Sequence, residues 1–84
     1  MASPRIDIPS NGTWTQIMPA TATGYCVVES GPIVFMNNAT QPAFGVTDGS
    51  TASAGDVISG FSGEAVWARP VSQNTIGRVK QHNV

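Results

Sequence analysis

Glu64-Ala-Val-Trp-Ala-Arg69 is the stretch of sequence that decides the fold. Gly60-Phe-Ser-Gly63 leads into it and Pro70 follows it, so residues that favour turns bound the run on both sides. Valine and tryptophan suit a pleated, half-buried surface, whereas proline is tolerated only at the first residue or the edge of a strand. The sequence therefore predicts a strand over residues 64–69.

Alternation along this strand does not decide which of its two faces points to the core. Ala65, Trp67 and Arg69 share one face, whereas Val66 and Ala68 share the other. Tryptophan buries more area than valine when it points inward, so we expect Trp67 to face the core. The opposite choice would place Trp67 in a contact between subunits. The predicted core members are Trp14, Val28, Ile33, Phe35, Val57 and Trp67.

Turn-forming residues recur along the whole chain. Nine glycines and six prolines are spread through its 84 residues, and the longest interval without either reads as a strand followed by a turn. Helix signals are therefore absent. Alternation and β-branched residues predict further strands over residues 13–18, 25–29, 33–36, 42–46, 56–59 and 75–81.

Two connections between these strands have a distinct composition. Ser30-Gly31-Pro32 predicts a tight antiparallel hairpin between strands 25–29 and 33–36. Residues 47–55 consist of Asp, Gly, Ser, Thr and Ala, which predicts the longest surface loop. Short strands separated by turns at intervals of roughly ten residues indicate an all-β domain. The predicted architecture is a small antiparallel β-sandwich or partly open barrel with an extended N-terminal arm.

The predicted arm covers residues 1–12, ahead of a single β-domain over 13–81 and a C-terminal tail over 82–84. Pro4 and Pro9 bracket Arg5-Ile-Asp-Ile8, in which both isoleucines point one way and Asp7 the other. Such a segment can dock by adding to a neighbouring sheet edge or by lying across its surface. Ile6 and Ile8 are therefore predicted to contact a partner.

The short length limits how the domain can be stabilised. A 60-residue domain buries only about 60% of the surface that its unfolded chain exposes, so the core of this chain is thin. Cys26 is the single cysteine and His82 the single histidine, which excludes an intrachain disulfide and a Cys/His zinc set. Partner subunits are the remaining source of support, so we expect an oligomer.

Charge and hydropathy exclude several classes of partner. Four basic against five acidic residues give a formal net charge of -1, and the charged fraction is 11%. A nucleic-acid surface requires more basic residues with exposed aromatics among them, so nucleic-acid binding is not expected. No stretch approaches the roughly 18 apolar residues of a membrane span, and neither a membrane partner nor a secretion signal is expected.

The candidate chemical groups do not form a catalytic set. Cys26 lies among apolar strand residues, without a cation or helix terminus to lower its pKa, and is interpreted as a small buried hydrophobe. Asp48 and Asp56 flank the 47–55 loop but lack the ligand spacing of a calcium loop. We therefore predict no catalytic, cofactor-binding or metal-binding residue, and no cofactor.

Four segments in order resemble small virion structural proteins of tailed bacteriophages, single β-domains attached to the head or its appendages. The segments are Gly12-Thr-Trp-Thr-Gln16, Ala22-Thr-Gly-Tyr-Cys-Val-Val28, Gly31-Pro-Ile-Val-Phe35 and Glu64-Ala-Val-Trp-Ala-Arg69. The likeness spans about 13 to 80, and its most distinctive part is the Ala-Val-Trp-Ala-Arg strand. The chain departs from the group in Thr75-Ile-Gly-Arg-Val-Lys-Gln81, which is more basic than the expected run of Thr, Val and Ala.

The resemblance implies a β-sandwich that assembles as a symmetric oligomer on the virion and works by contact rather than as an enzyme. A capsid decoration, cement or head-fibre-base protein is expected, assembled in the host cytoplasm. The expected partners are the chain itself, as a homotrimer in preference to a dimer, and the major capsid protein or another virion protein. Its predicted contacts are Ile6 and Ile8 of the arm, Asp48 of the loop and Phe61 of the turn.

Two other classes of function stay open. A phage tail or neck adaptor would be built from similar residues. A carbohydrate-binding β-module could use Trp14, Trp67 or Tyr25 as the aromatic platform on which a sugar stacks.

Overall fold

The computed structural model describes residues 5–9, 13–20, 24–43, 48–59, 63–71 and 77–82. These residues contain eight β-strands and no helix. The strands are β1 (Arg5–Ile8), β2 (Thr15–Met18), β3 (Tyr25–Ser30), β4 (Ile33–Asn38), β5 (Ser50–Ala52), β6 (Val57–Ser59), β7 (Ala65–Pro70) and β8 (Gly77–His82). The prediction of an all-β fold is confirmed.

The strands form two antiparallel four-stranded sheets that pack together as a sandwich. Sheet 1 has the order β1-β8-β3-β6, and sheet 2 has the order β2-β7-β4-β5. The first strand thus pairs with the last, the second with the seventh, the third with the sixth and the fourth with the fifth. This nested pairing is the strand order of a jelly roll. Of the two predicted architectures, the sandwich is correct and the barrel is not.

The core lies between the two sheets and is made of aliphatic side chains, with Cys26 among them. Its buried members are Ile8, Ile17, Met18, Cys26, Val28, Ile33, Ala52, Ile58, Val66, Ala68 and Val79. Val28 and Ile33 were predicted core members and are confirmed. Phe35 packs against the cluster but is only partly buried. Val57 is 59% exposed, so its assignment to the core is wrong.

The inward face of β7 is the one that carries Val66 and Ala68. Both are fully buried, whereas Trp67 is half-buried on the other face, so the expectation that Trp67 points into the core is wrong. The indole Nε1 of Trp67 donates to the carbonyl oxygen of Asn38 at 3.1 Å. An indole N–H turned into the aliphatic interior would need such an acceptor there. The outward orientation buries much of the ring and keeps its hydrogen bond.

The predicted hairpin between residues 25–29 and 33–36 is not formed. β3 lies in sheet 1 and β4 in sheet 2, so Gly31 and Pro32 carry the chain from one sheet to the other. Two strands joined by a short connection can pair with each other or continue in opposite sheets, as sandwich strands do. The sequence of this short connection does not distinguish these cases. β3 pairs with β6 and β8 instead.

The segment predicted as the longest loop contains β5. Ser50, Thr51 and Ala52 pair with Phe35, Val34 and Ile33 of β4. Gly49 precedes β5 with φ of 133°, and a Cβ at this position would lie 2.7 Å from the Phe35 carbonyl oxygen. Only glycine allows the chain to approach β4 this closely. Ahead of the segment, Pro42 and Ala43 lie outside any strand, and residues 44–47 of the predicted 42–46 strand lie outside the described residues.

Residues 5–8 do not form a free arm, which corrects the predicted boundary at residue 12. They are β1, which pairs along its whole length with β8 at the edge of sheet 1. Ile8 is fully buried in the core, and Ile6 packs against the core. The alternation of Ile6 and Ile8 that suggested a docking segment is satisfied within the chain's own sheet. His82, placed in the predicted tail, is the last residue of β8.

Hydrogen bonds across the sandwich hold β2 against sheet 1. An irregularity between Gln16 and Met18 interrupts the pairing of β2 with β7. The carbonyl oxygen of Ile17, within this irregularity, accepts from Gln81 Nε2 at 2.6 Å, and Cys26 Sγ lies 3.5 Å from it. A carbonyl that loses its partner at a bulge needs another one when it is buried. Here the opposite sheet supplies it.

Candidate contact surface

The outer face of sheet 1 carries most of the chain's basic side chains. Residues in register share a face, and this places Arg5 next to Lys80 and Asp7 next to Arg78. Arg78 Nε donates to Asp7 Oδ1 at 2.7 Å, and Arg5 Nε donates to Glu29 Oε1 at 2.8 Å. The hydrogen bond to Asp7 raises the pKa of Arg78. Both pairs are exposed, so they orient side chains on this face and contribute little to stability.

An aromatic and apolar area adjoins these ion pairs on the same face. Tyr25 pairs with His82 and with Ser59, and Val27 pairs with Lys80 and with Val57. The rings of Tyr25 and His82 stack, with centroids 4.9 Å apart and planes inclined by 15°. Tyr25 is 39% exposed and Val57 is 59% exposed. We define the Tyr25–Val57 patch as Tyr25, Val27, Val57 and His82.

The patch gathers exposed apolar surface at one place. Large exposed hydrophobic side chains among the described residues are Tyr25, Val57 and Val71, and two of these three belong to the patch. Contiguous exposed apolar surface with a polar rim is typical of sites that bind another macromolecule. The ion pairs of Arg5 and Arg78 supply part of such a rim on the neighbouring strands.

The outer face of sheet 2 is instead largely covered by the chain itself. Trp14 is 1% exposed, and the guanidinium carbon of Arg69 lies 5.5 Å from the centroid of its ring. Gln41 Nε2 donates to the carbonyl oxygen of Trp14 at 2.8 Å. Trp14 Nε1 and Arg69 Nε are buried without a hydrogen-bond partner among the described residues. Trp14 was predicted in the core and is buried, but outside the central cluster.

The structure separates the four predicted partner contacts. Ile8 is buried within its own chain, so its prediction as an accessible contact is wrong. Ile6 is half-buried in β1 and packs against the core. Asp48 is exposed at the start of the segment that leads into β5, and its role in a contact stays a prediction. Phe61 lies outside the described residues. Ile6 lies on the edge strand β1 of sheet 1, and Asp48 precedes the edge strand β5 of sheet 2.

Asp56, one of the two acidic residues considered for a calcium site, has a structural role in the described turn. Asp56 Oδ2 accepts from the Ser53 backbone N–H at 2.8 Å and so braces the turn between β5 and β6. Within the described part of the chain, no cluster of three or more His, Cys, Asp or Glu residues is placed to hold a metal ion.

Cys26 is buried in β3, in agreement with its interpretation as a small hydrophobe. Burial raises the pKa of the Cys26 thiol to about 11. The thiolate is the nucleophilic form, so this side chain is held in its unreactive state at neutral pH.

Sequence reasoning missed three of the four members of the patch: it gave Val27 no role in a contact, assigned Val57 to the core and assigned His82 to the tail. Alternation within β6 gave a usable signal, because Ile58 and Val57 must face opposite ways.

No helix in the described ranges has the length and apolar character to cross a membrane. Neither a family model, nor a curated protein, nor a solved structure matches this chain.

Proposed function

We propose that this chain is a non-enzymatic structural protein of a bacteriophage virion that binds the capsid surface as a symmetric oligomer. Decoration, cement and head-fibre-base proteins are the types that fit. The observation that carries the proposal is the exposed Tyr25–Val57 patch on the outer face of sheet 1. A protein that works by contact needs an accessible surface of this kind, with an aromatic anchor.

Three further observations support this proposal. The jelly-roll order of the strands is used by viral capsid proteins, although the same fold also occurs in lectins and enzymes, so it supports the proposal by analogy. The sequence resemblance to virion proteins points to the same class. The low charged fraction of 11% also favours burial against another protein, because desolvating Ser, Thr, Asn and Gln costs less than desolvating ions.

Cosedimentation with empty phage heads tests the proposal. We expect the purified chain to sediment with heads and Tyr25→Ala to bind them at least tenfold more weakly, because the aromatic anchor is lost. Val71→Ala is the matched control, since Val71 is also an exposed apolar residue but follows β7 of sheet 2. Copurification with tails instead of heads would favour the adaptor function. Absence of binding to either particle would refute the proposal.

A carbohydrate-binding module is the second candidate, and one observation favours it. Of the three aromatic side chains considered as sugar platforms, Trp14 is buried and Trp67 is half-buried, whereas Tyr25 is 39% exposed and stacks on the ring of His82. A glycan array would reveal this function. Glycan binding that Tyr25→Ala abolishes and Trp67→Ala leaves unchanged would support the module and displace the virion proposal.

A further inference from the structure

The edge of sheet 1 at β6 differs from the other three sheet edges. β1 carries the charged residues Arg5 and Asp7, β2 is interrupted by its irregularity, and β5 exposes only serine and threonine. Charges, bulges and short polar strands are the features by which proteins prevent one sheet edge from joining another. β6 is as short as β5 and follows a bulge at Gly55 and Asp56, but within Val57–Ser59 it carries no charge and it exposes the apolar Val57 side chain. No further described strand lies beyond it.

The backbone groups of β6 can be assigned to the two sides of the strand. Val28 donates its N–H to the Asp56 carbonyl at 2.9 Å, and its carbonyl accepts from the Gly55 N–H at 2.8 Å. Gly55 has φ of 97°, so Gly55 and Asp56 form a bulge of the glycine type opposite Val28. Hydrogen-bonded positions alternate along an antiparallel pair, which makes Cys26 and Ile58 the next bonded pair.

This alternation directs the N–H and C=O groups of Val57 and Ser59 away from β3. Within the described ranges no strand pairs with them, so they form a row of available donors and acceptors at the β6 edge. A strand that pairs with itself about a two-fold axis through Ile58 would oppose Val57 to Ser59 of the second copy. Both are the residues whose backbone groups point outward, so the two edges match in register without any change of conformation.

We propose that β6 pairs antiparallel with β6 of a second copy of this chain, joining two copies of sheet 1 into one eight-stranded sheet. The proposal deepens the symmetric oligomer of the proposed function and rests on it. It replaces the expected trimer by a two-fold dimer. The head-binding assay tests the virion function separately, so either proposal can fail alone.

The side chains on the outer face of sheet 1 are also compatible with pairing about this two-fold axis. Val57 lies beside Val27 of its own sheet and opposite Ser59 of the second copy, and its diagonal neighbour across the axis is Val57 of the second copy. The two valines therefore bring the two patches together at the axis. Charge does not oppose the pairing, because Asp56 directly precedes β6 and the two Asp56 residues fall at opposite ends of an antiparallel pair. A second copy is therefore the occupant whose register, apolar surface and charge all fit this edge.

The mass of the protein in solution tests the pairing. In sedimentation equilibrium up to millimolar concentration, we expect the wild type to reach twice the chain mass. Val57→Lys and Ser59→Lys should remain at the mass of one chain, because each places a charge at the edge. Thr51→Lys is the matched control on the three-residue edge strand of sheet 2 and should dimerise as the wild type does. Circular dichroism checks that each variant is folded.

A cross-linking experiment tests the register directly. Val57→Cys mixed with Ser59→Cys should form a disulfide-linked pair under mild oxidation at least fivefold faster than either variant alone, since these positions oppose each other across the axis. Native Cys26 is buried and does not compete. A wild type that stays at the mass of one chain throughout overturns the proposal. So does a trimer, a dimer that both lysine variants leave intact, or cross-linking without preference for the mixed pair.

Discussion

At the residue scale, the decision that sequence reasoning got wrong was the face of β7. The choice rested on area, which favours burying tryptophan rather than valine. The space between the sheets is filled by aliphatic side chains, and Val66 and Ala68 fit it, whereas Trp67 finds an acceptor for its N–H on the outer face. Alternation correctly predicted two sets of side chains on this strand. It contains no information about which set meets the other sheet.

Val66→Ala should lower the free energy of unfolding by about 1–3 kcal/mol. The change removes two buried methyl groups, each worth about 0.8 kcal/mol, and leaves a cavity. Val71→Ala removes the same atoms from a side chain that is 42% exposed, and should change stability by about 0.5 kcal/mol or less. Urea unfolding followed by circular dichroism measures both. Equal losses would show that Val66 does not face the core.

The raised pKa of Cys26 predicts that the free energy of unfolding falls as the pH rises above 9. Its pKa is raised to about 11 in the folded state, against 9.0 for the free thiol. Above pH 9 the unfolded chain releases the thiol proton while the folded chain retains it, so unfolding becomes more favourable until about pH 11. The loss should reach the order of 2 kcal/mol.

Urea unfolding at several pH values between 8 and 11 measures this dependence, with Cys26→Ala as the control. The variant should be less stable at pH 8 but should lose less stability as the pH rises. Parallel pH profiles for the two proteins would contradict the assignment. Alkylation with iodoacetamide at pH 8 gives a second test, because the wild type should react only when it unfolds.

At the scale of elements, the sequence was informative about strands and poor about their partners. Alternation placed β2, β3, β4, β6, β7 and β8 close to their observed ranges, because burial of one face imposes a period of two. β5 was missed because Ser-Thr-Ala has no apolar period, and its pairing depends on the close approach at Gly49. The predicted 25–36 hairpin was wrong because the residues of the connection do not indicate whether the next strand joins the same sheet or the other one.

Deleting residues 1–9 should abolish cooperative unfolding. β1 pairs with β8 along its length, and Ile8 is completely buried against the rest of the core. Its loss leaves a cavity and an unpaired β8 in a domain with only about 5–15 kcal/mol of total stability. The paired variant Arg5→Ala/Asp7→Ala keeps both isoleucines and should melt cooperatively. A truncated chain with the melting temperature of the full chain would restore the arm interpretation.

At the scale of the whole molecule, the jelly-roll order was beyond the reach of the sequence. The class of sandwich follows from strand spacing and turn residues, but nested pairing joins strands that are far apart in the chain, as β1 and β8 are. The residues within each strand and its neighbouring turns do not indicate which distant strand it pairs with. The candidate surface depends on them too, because Tyr25, Val57 and His82 meet only when β3 lies between β6 and β8. Sequence analysis named Tyr25 as a platform but could not supply its neighbours.

Pairing of β6 with a second copy would make thermal stability depend on protein concentration. If β6 pairs with a second copy, association stabilises the folded state by mass action, and the melting temperature of the wild type should rise with concentration. For a domain of this size, about 1 kcal/mol corresponds to about 4–8 °C, so a hundredfold concentration series should give a readily measured shift. Differential scanning calorimetry of the wild type, Val57→Lys and Thr51→Lys would separate this effect from the intrinsic stability of one chain. The melting temperatures of the wild type and Thr51→Lys should rise together with concentration. That of Val57→Lys should stay constant, because this variant alone alters the β6 edge. A melting temperature that is independent of concentration in all three would mean that the open edge of sheet 1 does not join a second copy.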